Sequence, residues 1–140
     1  METSVCFFCL LIGPKMSIQI YTTMVLAAKS DGKIQIEEKE FIKYFEKTYP
    51  VFQKITNEDK IEALTLIKSM NTEDILDKFN SEMSQSQKDI AYAFALEVCA
   101  MNFEMPESEA EYLKLLEKKF DISKKTKDFL EKSMKLRYDV

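Results

Sequence analysis

Between Met16 and Val140 the chain has a single glycine, Gly32, and two prolines, Pro50 and Pro106. Glycine and proline are the residues that most readily break a helix, so a stretch this poor in them turns mainly at helix ends. Hydrophobic residues make up 46% and charged residues 31% of the sequence, enough apolar material for one core and enough charge to solvate its outside. A domain of 140 residues buries roughly two-thirds of the surface its unfolded chain exposes. The pattern predicts an all-α fold, a single-domain bundle of about seven helices.

The apolar spacing predicts a first helix from about Ser17 to Ser30, with Ser17 as its N-cap and Ile20, Met24 and Ala27 or Ala28 on its inner face. Asp31-Gly32 ends it, because glycine takes the left-handed conformation that commonly closes a helix, and Ile34 drops into the core behind the turn. A second helix starts near Ile36, carries Phe41, Ile42 and Phe45 inward and stops at Tyr49-Pro50. Pro50 to Ile55 reads as a connector with a short helical turn that packs Val51 and Phe52. Thr56 caps a third helix with Asp59 three positions on, and Ile61, Leu64 and Ile67 mark its sides. Thr72 caps a fourth with Ile75, Leu76 and Phe79 apolar, and Ser84 with Gln87 caps a fifth, roughly Gln85 to Met101. Ile90 to Leu96 is apolar almost all round, which makes the fifth helix the expected buried centre. A sixth runs from Pro106 or Glu107 through Lys119 with Tyr112, Leu113, Leu116 and Phe120 inward, and a seventh, capped by Ser123, carries Phe129, Leu130 and Met134.

Histidine is absent, which removes imidazole as base, proton shuttle or metal ligand and leaves oxygen to hold any metal. With no glycine-rich phosphate loop and no nucleophile-base arrangement either, the expectation is a protein that is not an enzyme. The formal net charge of −4 argues against a nucleic-acid partner. Three cysteines, an odd number in a helical chain, fit a reducing, cytoplasmic setting better than a disulfide framework. Cys6 and Cys9 have half-zinc-site spacing, but without a second pair or a histidine their thiols read as structural or incidental. Val5 to Ile12 is apolar, lacks the basic start of a signal peptide and is too short to span a bilayer. Residues 1–15 are therefore expected to be an extension, disordered or packed on the surface, or a by-product of a start upstream of Met16. Residues 16–140 form the domain.

Sliding the sequence against itself aligns Asp31 with Asn102, an offset of 71 residues, and pairs Ala28 with Cys99, Ile34 with Met105, Glu38 with Glu109, Glu40 with Glu111, Phe41 with Tyr112 and Ile42 with Leu113. Each unit is an apolar helix, a short polar turn, one buried aliphatic residue and an acidic helix start. Two helix-turn-helix pairs in one bundle would produce this repeat. The intact copy, Asp31-Gly32-Lys33-Ile34 followed by Glu38, resembles the tellurite-resistance TerB-like family, and Asn102-Phe103-Glu104-Met105 followed by Glu109 is its degenerate counterpart. The resemblance covers roughly residues 17 to 122. It implies an all-α fold, a cytoplasmic or membrane-associated setting in a stress response, and metal binding near the two turns in some relatives. Carried over by position, the implied ligands are Asp31, Glu38, Asn102 and Glu109. The second turn has lost both Asp and Gly, so one carboxylate of a shared site is an amide.

Such a ligand set suits calcium or magnesium, hard cations that take carboxylate and carbonyl oxygen. The competing structural reading is that acids in the first turn of a helix favour its dipole and close capping boxes without any ligand. An EF-hand is excluded. If Asp31-Gly32 were loop positions five and six, positions one and three would be Ala27 and Lys29, and neither ligates as a carboxylate. The C-terminal segment is locally basic, with Lys124, Lys125, Lys127, Lys132, Lys135 and Arg137 among Asp128 and Glu131; it reads as a solvated face or as a surface for an anionic membrane or an acidic partner. These features lead to the expectation of a non-enzymatic TerB-like binding or scaffold module, modulated by a metal ion, that docks a protein partner and associates peripherally with a membrane without spanning it. The alternative is a divalent metal-ion sensor or sequestering protein using carboxylates at the two turns.

Overall fold

The computed structural model describes residues 16–29, 36–100 and 106–138, excluding the side chains of 36–38 and 41. Seven α-helices and one 3-10 turn make up these residues: α1 (Met16–Ala28), α2 (Ile36–Thr48), η1 (Pro50–Phe52), α3 (Asn57–Ser69), α4 (Thr72–Glu82), α5 (Gln85–Ala100), α6 (Glu107–Lys119) and α7 (Lys124–Tyr138). The chain is an all-α bundle, as its sequence predicts. Residues 1–15, with Cys6 and Cys9, lie outside the described residues.

Local chemistry explains most helix boundaries. Thr56 accepts from the Asp59 backbone N–H at 3.1 Å while Asp59 accepts from that of Thr56 at 3.0 Å, a closed capping box on α3. Ser84 and Gln87 make the same reciprocal pair on α5, and the Ser123 hydroxyl accepts from the Thr126 N–H at 3.1 Å ahead of α7. At α4 the cap is Asn71, one residue before the expected Thr72: its side chain accepts from the Asp74 N–H at 2.8 Å. An asparagine at this position leaves Thr72 free to begin the helix. Pro106 occupies the N-cap position of α6. That helix ends without a glycine, since Asp121 takes the left-handed conformation itself (φ 50°). The Asp121 and Ile122 N–H groups return to the carbonyls of Lys118 and Glu117, completing the paired bonds of a Schellman motif.

Two helices share the centre. α5 was the expected middle of the bundle, but α1 is buried at least as thoroughly, with only Ile18 half-exposed, and the two are each other's principal neighbours. The fully buried Ala91 and Ala95 of α5 and Ala27 and Ala28 of α1 supply the small side chains that close approach requires. Sequence periodicity hides this because α1 carries polar residues on its buried sides. Thr22 and Thr23 satisfy their hydroxyls within the helix, on the carbonyls of Ile18 and Gln19, the usual recourse of a buried threonine. Ser17, expected as an N-cap, instead lies buried within α1 and donates to the Val51 carbonyl at 2.6 Å, fastening α1 to η1. Around this pair, α3 and α4 pack on α1, and α6 and α7 on α5. Phe45, Tyr49 and Phe52 gather edge-on around Phe94 with ring centroids 5.1–5.4 Å from it, the arrangement aromatic quadrupoles favour.

The internal repeat is visible in the backbone. α6 begins at Glu107 and ends at Lys119, each 71 residues beyond the matching end of α2 at Ile36 and Thr48. Burial repeats with the same offset. Met24 and Ala95, Ala27 and Val98, Ala28 and Cys99, Phe45 and Leu116 are all fully buried, and Ile42 matches Leu113. Three apolar residues depart from expectation. Ile61 and Leu64 of α3 and Phe129 of α7 are 63%, 38% and 72% exposed, so the apolar stripe on each helix is wider than the face it buries.

Candidate functional site

The four residues implied as metal ligands are only partly placed. Asp31 and Asn102 lie outside the described residues, and Glu38 falls in the first turn of α2 with its side chain outside them. Glu109, in the first turn of α6, is 1% exposed, whereas Glu40 and Glu111 nearby are exposed. Among the described residues no group of three or more His, Cys, Asp or Glu side chains is arranged to hold a metal ion.

A groove opens at the end of the bundle where α1 finishes and α6 begins. Its cavity volume is about 350 Å3. Leu26 and Lys29 line it from the end of α1, Ile67 from α3 and Thr72 from the start of α4; Ser108, Glu111, Tyr112 and Leu115 line it from α6. Tyr112 is fixed in place. Its hydroxyl donates to the Thr23 carbonyl at 2.9 Å, and burial pushes the phenol well above its ordinary pKa, with Cys99 adding to the rise. The groove combines an aliphatic floor with one cation and one carboxylate at its rim.

A second surface faces away from the bundle on α7. Met134 is buried and Leu130 half-buried, so this side faces the core. On the opposite side stand Phe129 and Leu136, 72% and 80% exposed. At 100° per residue, Lys125 and Lys132 fall within about 60° of Phe129, so one narrow ridge reads Lys125, Phe129, Lys132, Leu136. The other basic residues of α7 are engaged: Lys124 with Asp128 at 3.0 Å, Lys127 with Glu117 at 3.3 Å and Arg137 with Glu97 at 3.2 Å. Lys125, Lys132 and Lys135 make no ion pair among the described residues. Two of these three, Lys125 and Lys132, stand beside the exposed apolar side chains.

The inner side of α7 ends in a polar clamp that sequence spacing does not reveal. The Glu97 carboxylate, on a residue 7% exposed, accepts from the Tyr138 hydroxyl at 2.6 Å and from Arg137 at 3.2 Å through the same oxygen. Burial first, and then the bond to Glu97, raise the Tyr138 phenol above its ordinary value. Further along α5 the Tyr92 hydroxyl donates to Glu117 at 3.2 Å; burial and the neighbouring Glu117 charge raise that phenol as well. These groups join residues 25 to 41 positions apart, beyond the reach of any helical period.

Compared with protein-family models, curated proteins and solved structures, the chain gives no match. No helix among the described residues is long and apolar enough to cross a membrane.

Proposed function

We propose that this chain is a non-enzymatic binding or scaffold module of the TerB-like kind, docking a protein partner within a stress-response or membrane-associated complex in a cytoplasmic setting. The observation that carries the reading is the α7 ridge. Two large apolar side chains stand in solvent beside Lys125 and Lys132, which form no ion pair among the described residues. Exposed apolar groups rimmed by polar ones mark interaction surfaces, and unspent positive charge selects an anionic counterpart and speeds encounter with it. Affinity capture at physiological salt with the native chain and with a Phe129→Asp, Leu136→Asp variant tests it. A reproducible partner that the variant fails to retain is the expected result; capture unchanged by the variant, or no partner for the native chain, sinks the reading.

A divalent-cation sensor or sequestering protein is the second reading; it rests on the resemblance of the two turns, and of the four implied ligands only Glu109 has a described side chain. Calorimetric titration of calcium, magnesium, zinc and manganese into the native chain and into Asp31→Asn decides the matter. The reading requires heat of binding that the substitution weakens, and no heat with any of the four ions removes it.

A further inference from the structure

We infer that α7 is an exchangeable helix: it leaves its own bundle and seats on α5 and α6 of a second copy, whose α7 fills the vacated place in return. The exchange is independent of the ridge, which faces outward in both arrangements.

The helix is lightly held. Only Met134 of the 15 residues of α7 is buried, whereas all but one of the 13 in α1 are. Its other attachments are mainly polar and sit near its two ends: Lys127 on Glu117 at 3.3 Å, then Arg137 and Tyr138 on Glu97 at 3.2 and 2.6 Å. An element with so few buried apolar groups opens at less cost than the whole bundle does. The place it leaves is nonetheless specific. Glu97, 7% exposed, and Glu117 stand there for the arginine, tyrosine and lysine of this one helix, and a carboxylate as buried as Glu97 is costly to leave without its partners. The α7 of a second copy satisfies both, because it is the same helix.

Asp121 is the hinge. Among the described residues it is the one non-glycine residue with positive φ (50°), a conformation that a side chain with a Cβ takes at a cost. Neither glycine nor proline occurs from Glu107 to Val140, so no strong helix breaker separates α6 from α7. In the closed turn the N–H groups of Asp121 and Ile122 bond the carbonyls of Lys118 and Glu117. In one unbroken helix the same two N–H groups bond the same two carbonyls with partners exchanged. Straightening therefore loses no backbone bond at those residues and relieves Asp121. It also sends α7 roughly 22 Å beyond the end of α6, away from its own α5 and toward that of another copy. Against it stand the Ser123 cap on the Thr126 N–H at 3.1 Å and the bond from the Gln85 side chain to the Phe120 carbonyl at 3.0 Å. The closed monomer thus prevails when dilute, and the exchanged form gains with concentration. Because the two exchanged contacts are alike, the assembly closes at a dimer.

Sedimentation of the full chain and of hinge variants over a wide concentration range tests this. Asp121→Gly eases the closed turn and weakens the straight helix, while Asp121→Ala does the reverse. With two hinges in each dimer, the dissociation constants of these variants should differ by about a hundredfold or more, the native chain lying between them. Phe129→Asp, Leu136→Asp should dimerise as the native chain does, since the ridge takes no part. Two charge-reversed chains tie the dimer to its contact. Glu97→Arg and Arg137→Glu each set like charges together when alone; mixed, they should pair one to one, because both exchanged contacts then join opposite signs. Circular dichroism checks that each chain remains helical, and should either not, Glu117→Lys with Lys127→Glu replaces the pair. Monomers at every concentration for both the native chain and Asp121→Ala overturn the inference. So do equal dissociation constants for the two hinge variants, loss of the dimer in the ridge variant, charge-reversed chains that fail to pair, or assemblies larger than a dimer. Capture of a protein partner through the ridge is a separate result and stands or falls without the exchange.

Discussion

Set side by side, α1–α2 and α5–α6 bury corresponding positions and hold them with different chemistry. Phe45 and Leu116 occupy equivalent sites 71 residues apart, both fully buried. The polar residues do not correspond. In the first pair three hydroxyls end on backbone carbonyls, Ser17 on Val51, Thr22 on Ile18 and Thr23 on Gln19, while the Gln19 amide donates to Glu82 of α4 and Glu46 pairs with Lys60 of α3. In the second pair carboxylates predominate, and they tie the pair to α7 through Glu97 to Arg137 and Tyr138 and through Glu117 to Lys127. A position buried in the core must stay apolar, whereas a polar group is free to change wherever some partner satisfies it. The repeat therefore persists in its core positions and has diverged in its polar attachments.

Three measurements break or sharpen that comparison. The largest effect belongs to the shared core. Phe45→Ala should cost about 3–5 kcal/mol and Leu116→Ala about 2–5 kcal/mol in denaturant unfolding, since each leaves a cavity in a packed interior. A cost below about 1 kcal/mol at either site would mean that the two positions are not equivalent. A smaller effect separates the polar attachments. Glu97→Ala removes an acceptor shared by two donors, one of them charged, and should cost about 2 kcal/mol, against about 1 kcal/mol for the neutral bond lost in Ser17→Ala. Raising the salt concentration should reduce the first cost and leave the second unchanged, because the half-exposed Arg137 is partly screened.

The smallest effect is in alkaline pH. Tyr92 and Tyr138, both bonded to carboxylates, have their pKa values raised in the folded state, chiefly by burial. Their contribution is fully present below the unfolded tyrosine pKa of about 10 and is lost as pH rises through the higher folded values, because the unfolded chain sheds those protons first. Stability should thus decline above about pH 10. Tyr138→Phe should flatten the decline while lowering stability at neutral pH, and near-ultraviolet absorbance of tyrosinate follows the titration. An unchanged slope in that variant would show that Tyr138 titrates normally.

The features legible in the sequence were those set by nearby residues. Thr56 with Asp59, Ser84 with Gln87 and Ser123 are caps whose partners lie three residues away, and the 71-residue offset follows from side-chain type alone. Asn71 was missed in favour of Thr72 because both residue types cap helices and the pattern does not fix which stands first. Ser17 was misread because its partner, Val51, is 34 residues distant. Ile61 and Phe129 have helical spacing, but spacing alone does not tell which apolar side chains a neighbouring helix covers. The groove draws on four helices, and the Glu97 clamp closes only in three dimensions. Of the four residues implied as ligands, only Glu109 has a described side chain, and its burial could not be told from its place in an acidic first turn.

Cys99 stands where the first pair has Ala28, a fully buried thiol near the end of α5. That makes it an internal clock for the breathing of the central pair. With Cys6 and Cys9 replaced by serine, alkylation of Cys99 proceeds only through openings that admit the reagent, so its rate at modest reagent concentration reads the free energy of those openings. The same reading taken on the Phe129→Asp, Leu136→Asp variant would report whether changes on the surface of the bundle reach its middle.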